Sequence, residues 1–151
     1  MKKILAVVML LLSPLCLADD EEIDCLAQNI YWEARNQSVN GMYAVAKVTI
    51  NRVKDSRWPS TVCAVVKQRK LRGGSWICQF SWYCDGLSDN PRYDEYWNLA
   101  FLVASATIKY GTEDNFLPKT YWYHSYKVNP YWASSYRHKA TIGDHIFYTE
   151  E

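Results

Sequence analysis

Four cysteines behind an export-type leader constrain this fold more than any other feature of the chain. Lys2 and Lys3, the apolar run over residues 4–12, Pro14 and the small residues Cys16 and Ala18 read as a secretory signal peptide. Residues 1–18 are the expected leader, cut after Ala18, and 19–151 the expected mature domain. An acylated Cys16 is the rival reading, and Leu15 just before it fits that poorly. The apolar run is short for a bilayer span, and no later segment is long and apolar enough. The expected destination is periplasmic or secreted, with no stable membrane insertion after cleavage. Cys25, Cys63, Cys78 and Cys84 remain, and an even count in an oxidising compartment argues for two disulfides. Three pairings exist and spacing alone does not choose among them. The expected pairing joins Cys78 to Cys84 across a short loop and Cys25 to Cys63 between two helix starts. Zinc is the alternative for four thiols, against which stand the compartment and the lack of any Cys-x-x-Cys.

The remaining pattern predicts a single α+β domain, mainly helical with a small β element. A first helix is expected over residues 23–35, opened by the acidic residues 19–22, which suit the helix macrodipole. After a polar turn at 36–41 a second helix covers 42–53, and Ser60 is the expected N-cap of a short third helix to 68. Gly73-Gly74 marks a loop. Asn90-Pro91 reads as the start of the longest helix, which Gly111 stops. Its buried face should carry Tyr96, Ala100, Val103, Ala104, Thr107 and Ile108. Beyond Pro118, residues 120–126 and 145–149 are rich in aromatic and β-branched residues, as strands are.

Charge excludes one class of partner. The full chain carries +1, and removing Lys2 and Lys3 leaves 15 basic against 16 acidic residues, a net −1. Nucleic-acid binding needs a clear basic excess. Lys67, Arg69, Lys70 and Arg72 form a basic cluster, expected as a solvated loop that could touch an anionic polymer such as a cell wall.

The aromatic load points elsewhere. Of 12 Tyr and 7 Trp, eight residues crowd the last quarter: Tyr121, Trp122, Tyr123, Tyr126, Tyr131, Trp132, Tyr136 and Tyr148. Rings with a polar tip suit surfaces that are part apolar and part wet, and sugar rings present such a surface. Singly, most of these rings read as core. Together they favour a polysaccharide groove. His124, His138 and His145 lack zinc-ligand spacing, and no His-Glu-x-x-His or Gly-x-Ser-x-Gly motif occurs. No metal or other cofactor is expected.

Glu33 is the candidate acid. Leu26 and Ile30 precede it by seven and three residues, on one helical face. A carboxylate there is costly to bury as an ion, so it pairs or its pKa rises. A carboxyl kept protonated near neutrality can deliver a proton. The plainer alternative pairs it with Arg35 or another cation.

Several blocks, taken in order, resemble a known family. They are Ile30-Tyr31-Trp32-Glu33-Ala34-Arg35, Gly41, Ala44-Val45-Ala46, Asn51-Arg52-Val53 and Trp58-Pro59-Ser60-Thr61-Val62-Cys63. Cys78-Gln79-Phe80-Ser81-Trp82, Cys84-Asp85-Gly86, Tyr123-His124, Pro130-Tyr131-Trp132-Ala133 and Ile142-Gly143-Asp144-His145-Ile146-Phe147-Tyr148 follow. The series is similar to the SleB-type cell wall hydrolases, the spore cortex-lytic enzymes and their relatives. The resemblance implies a lysozyme- and lytic-transglycosylase-like helical domain that cuts the MurNAc–GlcNAc backbone of peptidoglycan, with Glu33 as catalytic acid. Gln79, Ser81, Tyr123, His124, Tyr126 and Trp132 are then expected to position the sugar. Asn51, Arg52 and His145 are expected as supports. No second acid stands out, Asp85 and Asp144 being the candidates, so a lytic transglycosylase is expected over a hydrolytic muramidase. A peptidoglycan amidase and a non-catalytic wall-binding module are the remaining alternatives. The partner in each case is peptidoglycan, and the chain is expected to act as a monomer.

Overall fold

The computed structural model describes residues 14–150. Most of the expected leader, residues 1–13, therefore lies outside the described residues. Among the described residues four α-helices precede a three-stranded sheet, with a β-hairpin inserted between α3 and α4. The helices are α1 (Pro14–Ala34), α2 (Val39–Val53), α3 (Val62–Val66) and α4 (Glu95–Tyr110). The hairpin pairs β1 (Arg69–Arg72) with β2 (Ser75–Cys78). The sheet contains β3 (Thr120–Ser125), β4 (Arg137–Ile142) and β5 (His145–Thr149), in the antiparallel order β3-β5-β4. Two 3-10 turns, Ser81–Cys84 and Tyr131–Ser135, complete the chain. Among the described residues no helix is long and apolar enough to cross a membrane.

The α1 helix is the centre of the molecule. Leu26, Ala27, Ile30, Tyr31 and Ala34 are fully buried, and the core they join includes Met42, Val45 and Ala46 of α2 and Ala100 and Ala104 of α4. Burial of a Leu or Ile side chain contributes about 1.5–3 kcal/mol each. The opposite face of α2 presents Ala44 and Val48 to Leu117 and Phe147. Helix α2 is thus the partition between the helical core and the sheet.

Both expected disulfides are present. Cys25–Cys63 joins α1 to α3 with Cα atoms 5.2 Å apart, and Cys78–Cys84 joins the end of β2 to the first 3-10 turn at 5.8 Å.

Several boundaries differ from the expectations. Helix α1 is already helical at Pro14, the first described residue, so residues 19–22 lie within it rather than in its first turn. Glu22 instead receives the backbone N–H groups of Val62 and Cys63, beside the disulfide that ties the same two helices. The N-cap of α3 is Thr61 rather than Ser60, and the helix is only five residues long. Helix α4 starts at Glu95, capped by Asp94, rather than at Asn90-Pro91, and Tyr96 is exposed rather than buried. Strand β4 was not expected. The presumed loop around Gly73-Gly74 is a hairpin whose two-residue turn has φ of 57° and 82°, values that glycine adopts readily.

The C-terminal hairpin is clamped to the helices at its tip. Gln37, between α1 and α2, accepts from the Asp144 backbone N–H and donates to the Asp144 carboxylate. Gly143 has φ of 56°, which favours glycine, and a Cβ there would displace the Gln37 amide oxygen from this clamp.

Candidate active site

Glu33 lies in the last turn of α1, where the helical core gives way to a cleft of about 270 Å³. Arg52 of α2 lies beside it. Cys78, Gln79, Phe80 and Ser81 line one wall, and Trp122, Tyr123 and Trp132 line the other. Asn29, one turn before Glu33, accepts from the Trp82 indole and donates to Thr49 of α2, which fixes how α1 is rotated.

The Tyr123 hydroxyl donates to Glu33 Oε2 at 3.0 Å. Burial raises the Glu33 pKa above the usual carboxyl range, and the Tyr123 hydrogen bond and the Arg52 charge offset only part of that rise. Desolvation wins because the neutral form loses little on leaving water. Burial, with the charge of Glu33 beside it, holds the Tyr123 hydroxyl well above its ordinary range, so it stays a donor.

Arg52 is buried with 3% of its surface exposed. Its Nε donates to the Tyr121 carbonyl at 2.9 Å and its Nη2 donates to the same oxygen, while the guanidinium lies 5.3 Å from the Phe80 ring centre. Burial lowers its pKa, and at neutral pH it remains a cation beside Glu33. Its Nη1 is buried with no hydrogen-bond partner among the described residues.

The other expected supports act at one remove. Asn51 Nδ2 donates to the Leu117 and Thr120 carbonyls, each at 2.9 Å, and so pins the start of β3. His145 meets the Tyr123 ring edge-on at 5.2 Å, and burial lowers its pKa, so it is neutral near pH 7.

Strand alternation separates two neighbours that were expected to work together. Tyr123 pairs with Phe147 on the inner face and reaches Glu33. His124 faces the other way, where it stacks on Tyr148 at 5.3 Å and bonds its hydroxyl at 2.9 Å. His124 is not among the residues lining the cleft; Trp122, on its own side of the strand, and Trp132, which packs edge-on against it at 5.5 Å, are. Tyr126 lies past the end of β3, 57% exposed and outside the cleft. Phe80, Trp122 and Cys78 line the cleft without having been expected to touch the sugar. Phe80 stood in the Gln-Phe-Ser block and Trp122 in the aromatic run, so both signals were present.

No second carboxylate lines the cleft. Asp85 is exposed and accepts from the Leu87 N–H, and Asp144 is held by Gln37. Among the described residues no group of three or more His, Cys, Asp or Glu could hold a metal ion.

The sequence profile described as Cell Wall Hydrolase matches residues 36–148. The chain belongs to the cell wall hydrolase family. It is an enzyme that degrades peptidoglycan, and its disulfides fit an oxidising compartment. The matched segment contains every cleft residue except Glu33, which stands just ahead of it. Two solved structures share the fold. The SleB catalytic domain of Bacillus cereus is 24% identical, covering 86% of this chain and 91% of that one, with a TM-score of 0.57. The catalytic domain of the germination-specific lytic transglycosylase SleB of Bacillus anthracis is 21% identical, covering 94% and 100%, with a TM-score of 0.61. No curated protein matches the chain.

Proposed function

We propose that this cell wall hydrolase is a lytic transglycosylase that cuts the MurNAc–GlcNAc bond and leaves a 1,6-anhydro-muramyl end. The observation that carries this reading is a single carboxyl in the cleft, held by Tyr123 with its pKa raised by burial, and with no second acid among the described residues lining the same space. Glu33 gives its proton to the glycosidic oxygen as the bond to the muramyl C1 breaks. The carboxylate that forms is stabilised by the Tyr123 hydroxyl and the Arg52 cation. It then takes the proton of the muramyl 6-hydroxyl as that oxygen closes on C1. Glu33 ends protonated, and no water is consumed.

The walls suit a sugar strand. Trp122 and Trp132 offer faces for sugar C–H groups, and Gln79 and Ser81 offer hydrogen bonds to hydroxyls. Arg52 lines the same cleft and keeps its positive charge beside the scissile bond. The Bacillus anthracis relative, named a lytic transglycosylase, adds support for this reaction. A leader cut after Ala18 would deliver the domain to the periplasm or beyond, where its substrate lies.

Glu33→Gln keeps the Tyr123 hydrogen bond and removes the acid. Lysis of purified sacculi should fall by about 10²–10⁴-fold, the usual share of a general acid. A variant that retains most of the lytic rate would remove Glu33 from the mechanism.

A further inference from the structure

Beside the catalytic cleft lies a second groove that the proposed reaction does not use. At about 550 Å³ it is the larger of the two, and its lining includes Tyr31, Trp32, Arg35, Asn90 and Arg92. It adjoins the cleft through the chain itself. Trp32 and Glu33 are consecutive in α1, about 3.8 Å apart at Cα and rotated by about 100°, so one lines the groove and the other the cleft. Trp32 is fixed there. Its indole donates to the Asp89 carbonyl at 3.1 Å, and its ring stacks on Trp82, the residue after Ser81 of the cleft wall.

The charge of this groove is unspent. Arg35 lies over the Tyr31 and Trp32 rings, at 5.5 and 5.4 Å from their centres, and has no carboxylate partner among the described residues. The Arg92 guanidinium has none either, while its backbone N–H is anchored to the Tyr31 hydroxyl. The one carboxylate in the lining, Asp94, already caps α4 through the Trp97 N–H. Arg35 over an aromatic wall and Arg92 in the same lining, two cations against one carboxylate, fit an extended ligand bearing carboxylates.

We propose that this groove, walled by Trp32 and by the Arg35 and Arg92 guanidinia, binds the carboxylates of the peptide stem on the muramyl residue being cleaved. The proposal rests on the glycan-cleaving reading above. The stem leaves the same sugar whose C1 faces Glu33, so it starts within one ring of the cleft. Four extended residues reach about 13–14 Å, enough to run along the adjoining groove. The enzyme would then recognise stem-bearing strands rather than bare glycan.

Two measurements test this. In calorimetry, a sugar-free stem tetrapeptide should bind the wild-type protein, and binding should weaken about tenfold or more in R35A/R92A, as expected for lost charge-assisted bonds. A tetrapeptide with amidated carboxylates should bind as weakly to the wild type. Equal binding by variant and wild type, or none by either, overturns the site. In kinetics, R35A/R92A should lose about tenfold in kcat/KM on stem-bearing strands while cutting amidase-stripped strands at the wild-type rate, with R35K/R92K partly restored. An equal fall on both substrates overturns the proposal. A wild-type enzyme that cuts neither strand overturns the glycan reading, and with it the link between this groove and cleavage, whatever the peptide titration gives.

Discussion

On the helical side of the cleft, Glu33 and Arg52 project from α1 and α2 out of a core whose residues are almost fully buried. On the opposite side, Gln79, Phe80 and Ser81 sit between an exposed hairpin and a single 3-10 turn, closed by Cys78–Cys84. The first side is rigid because packing makes it so. The second is rooted in the same core through Phe80 and Trp82, while its exposed hairpin and its disulfide stand outside that core. The difference suits the chemistry: the proton donor must keep one environment, while the sugar-facing wall needs only the right reach.

The two disulfides break this comparison most sharply. Cys25–Cys63 spans 38 residues and Cys78–Cys84 spans 6. Loop-closure entropy gives the longer one about 4 kcal/mol and the shorter about 2 kcal/mol. C25S/C63S should therefore lose most stability in denaturant titration while keeping kcat/KM at low temperature. C78S/C84S should lose less stability and raise KM, because Gln79 and Ser81 lose their anchor. The reverse pattern would show that the strapped wall is structural and the sugar is held elsewhere.

Tyr123→Phe probes the contact where the sheet meets the helical side. It removes one hydrogen bond from Glu33 and should lower kcat by about tenfold to a hundredfold, with about 1 kcal/mol of stability lost. The Tyr123 hydrogen bond lowers the Glu33 pKa, so its loss should also move the alkaline limb of the pH–rate profile upward. A purely structural tyrosine would leave that limb in place.

The burial of Glu33 has a smaller thermodynamic signature. Its folded pKa is raised, so the favourable folded-state contribution is fully present below the unfolded pKa and is lost as pH rises through the folded pKa. Glu33→Gln lacks this titration. At pH 8 the variant should melt above wild type. At pH 4 the two should coincide. A variant less stable at both pH values would mean that Glu33 is a structural carboxylate.

Much of this was legible in the sequence, for identifiable reasons. Glu33 stood out because Leu26 and Ile30 share its helical face, and both are fully buried. The expected cysteine pairing, one of three that the sequence leaves open, is the one present. The β1–β2 hairpin was hidden because its strands are exposed on both faces, leaving no apolar alternation to read. Gly73-Gly74 between Arg72 and Ser75 was nonetheless a two-residue turn signal. Strand β4, also mainly exposed, was hidden in the same way. His124 was placed in the cleft by adjacency to Tyr123, but its ring is taken up by the Ser125 carbonyl and by Tyr148. The unpaired Nη1 of Arg52 and the groove at Arg35 and Arg92 depend on distant segments meeting, which no local pattern encodes.

The most direct test of the central claim is mass spectrometry of the muropeptides released from sacculi digested in heavy-oxygen water. A lone acid that returns as the base for the muramyl 6-hydroxyl predicts products one water lighter than the hydrolysed form, with no label at C1, and no release by Glu33→Gln. Free reducing ends carrying the label would contradict it and make this cell wall hydrolase a muramidase.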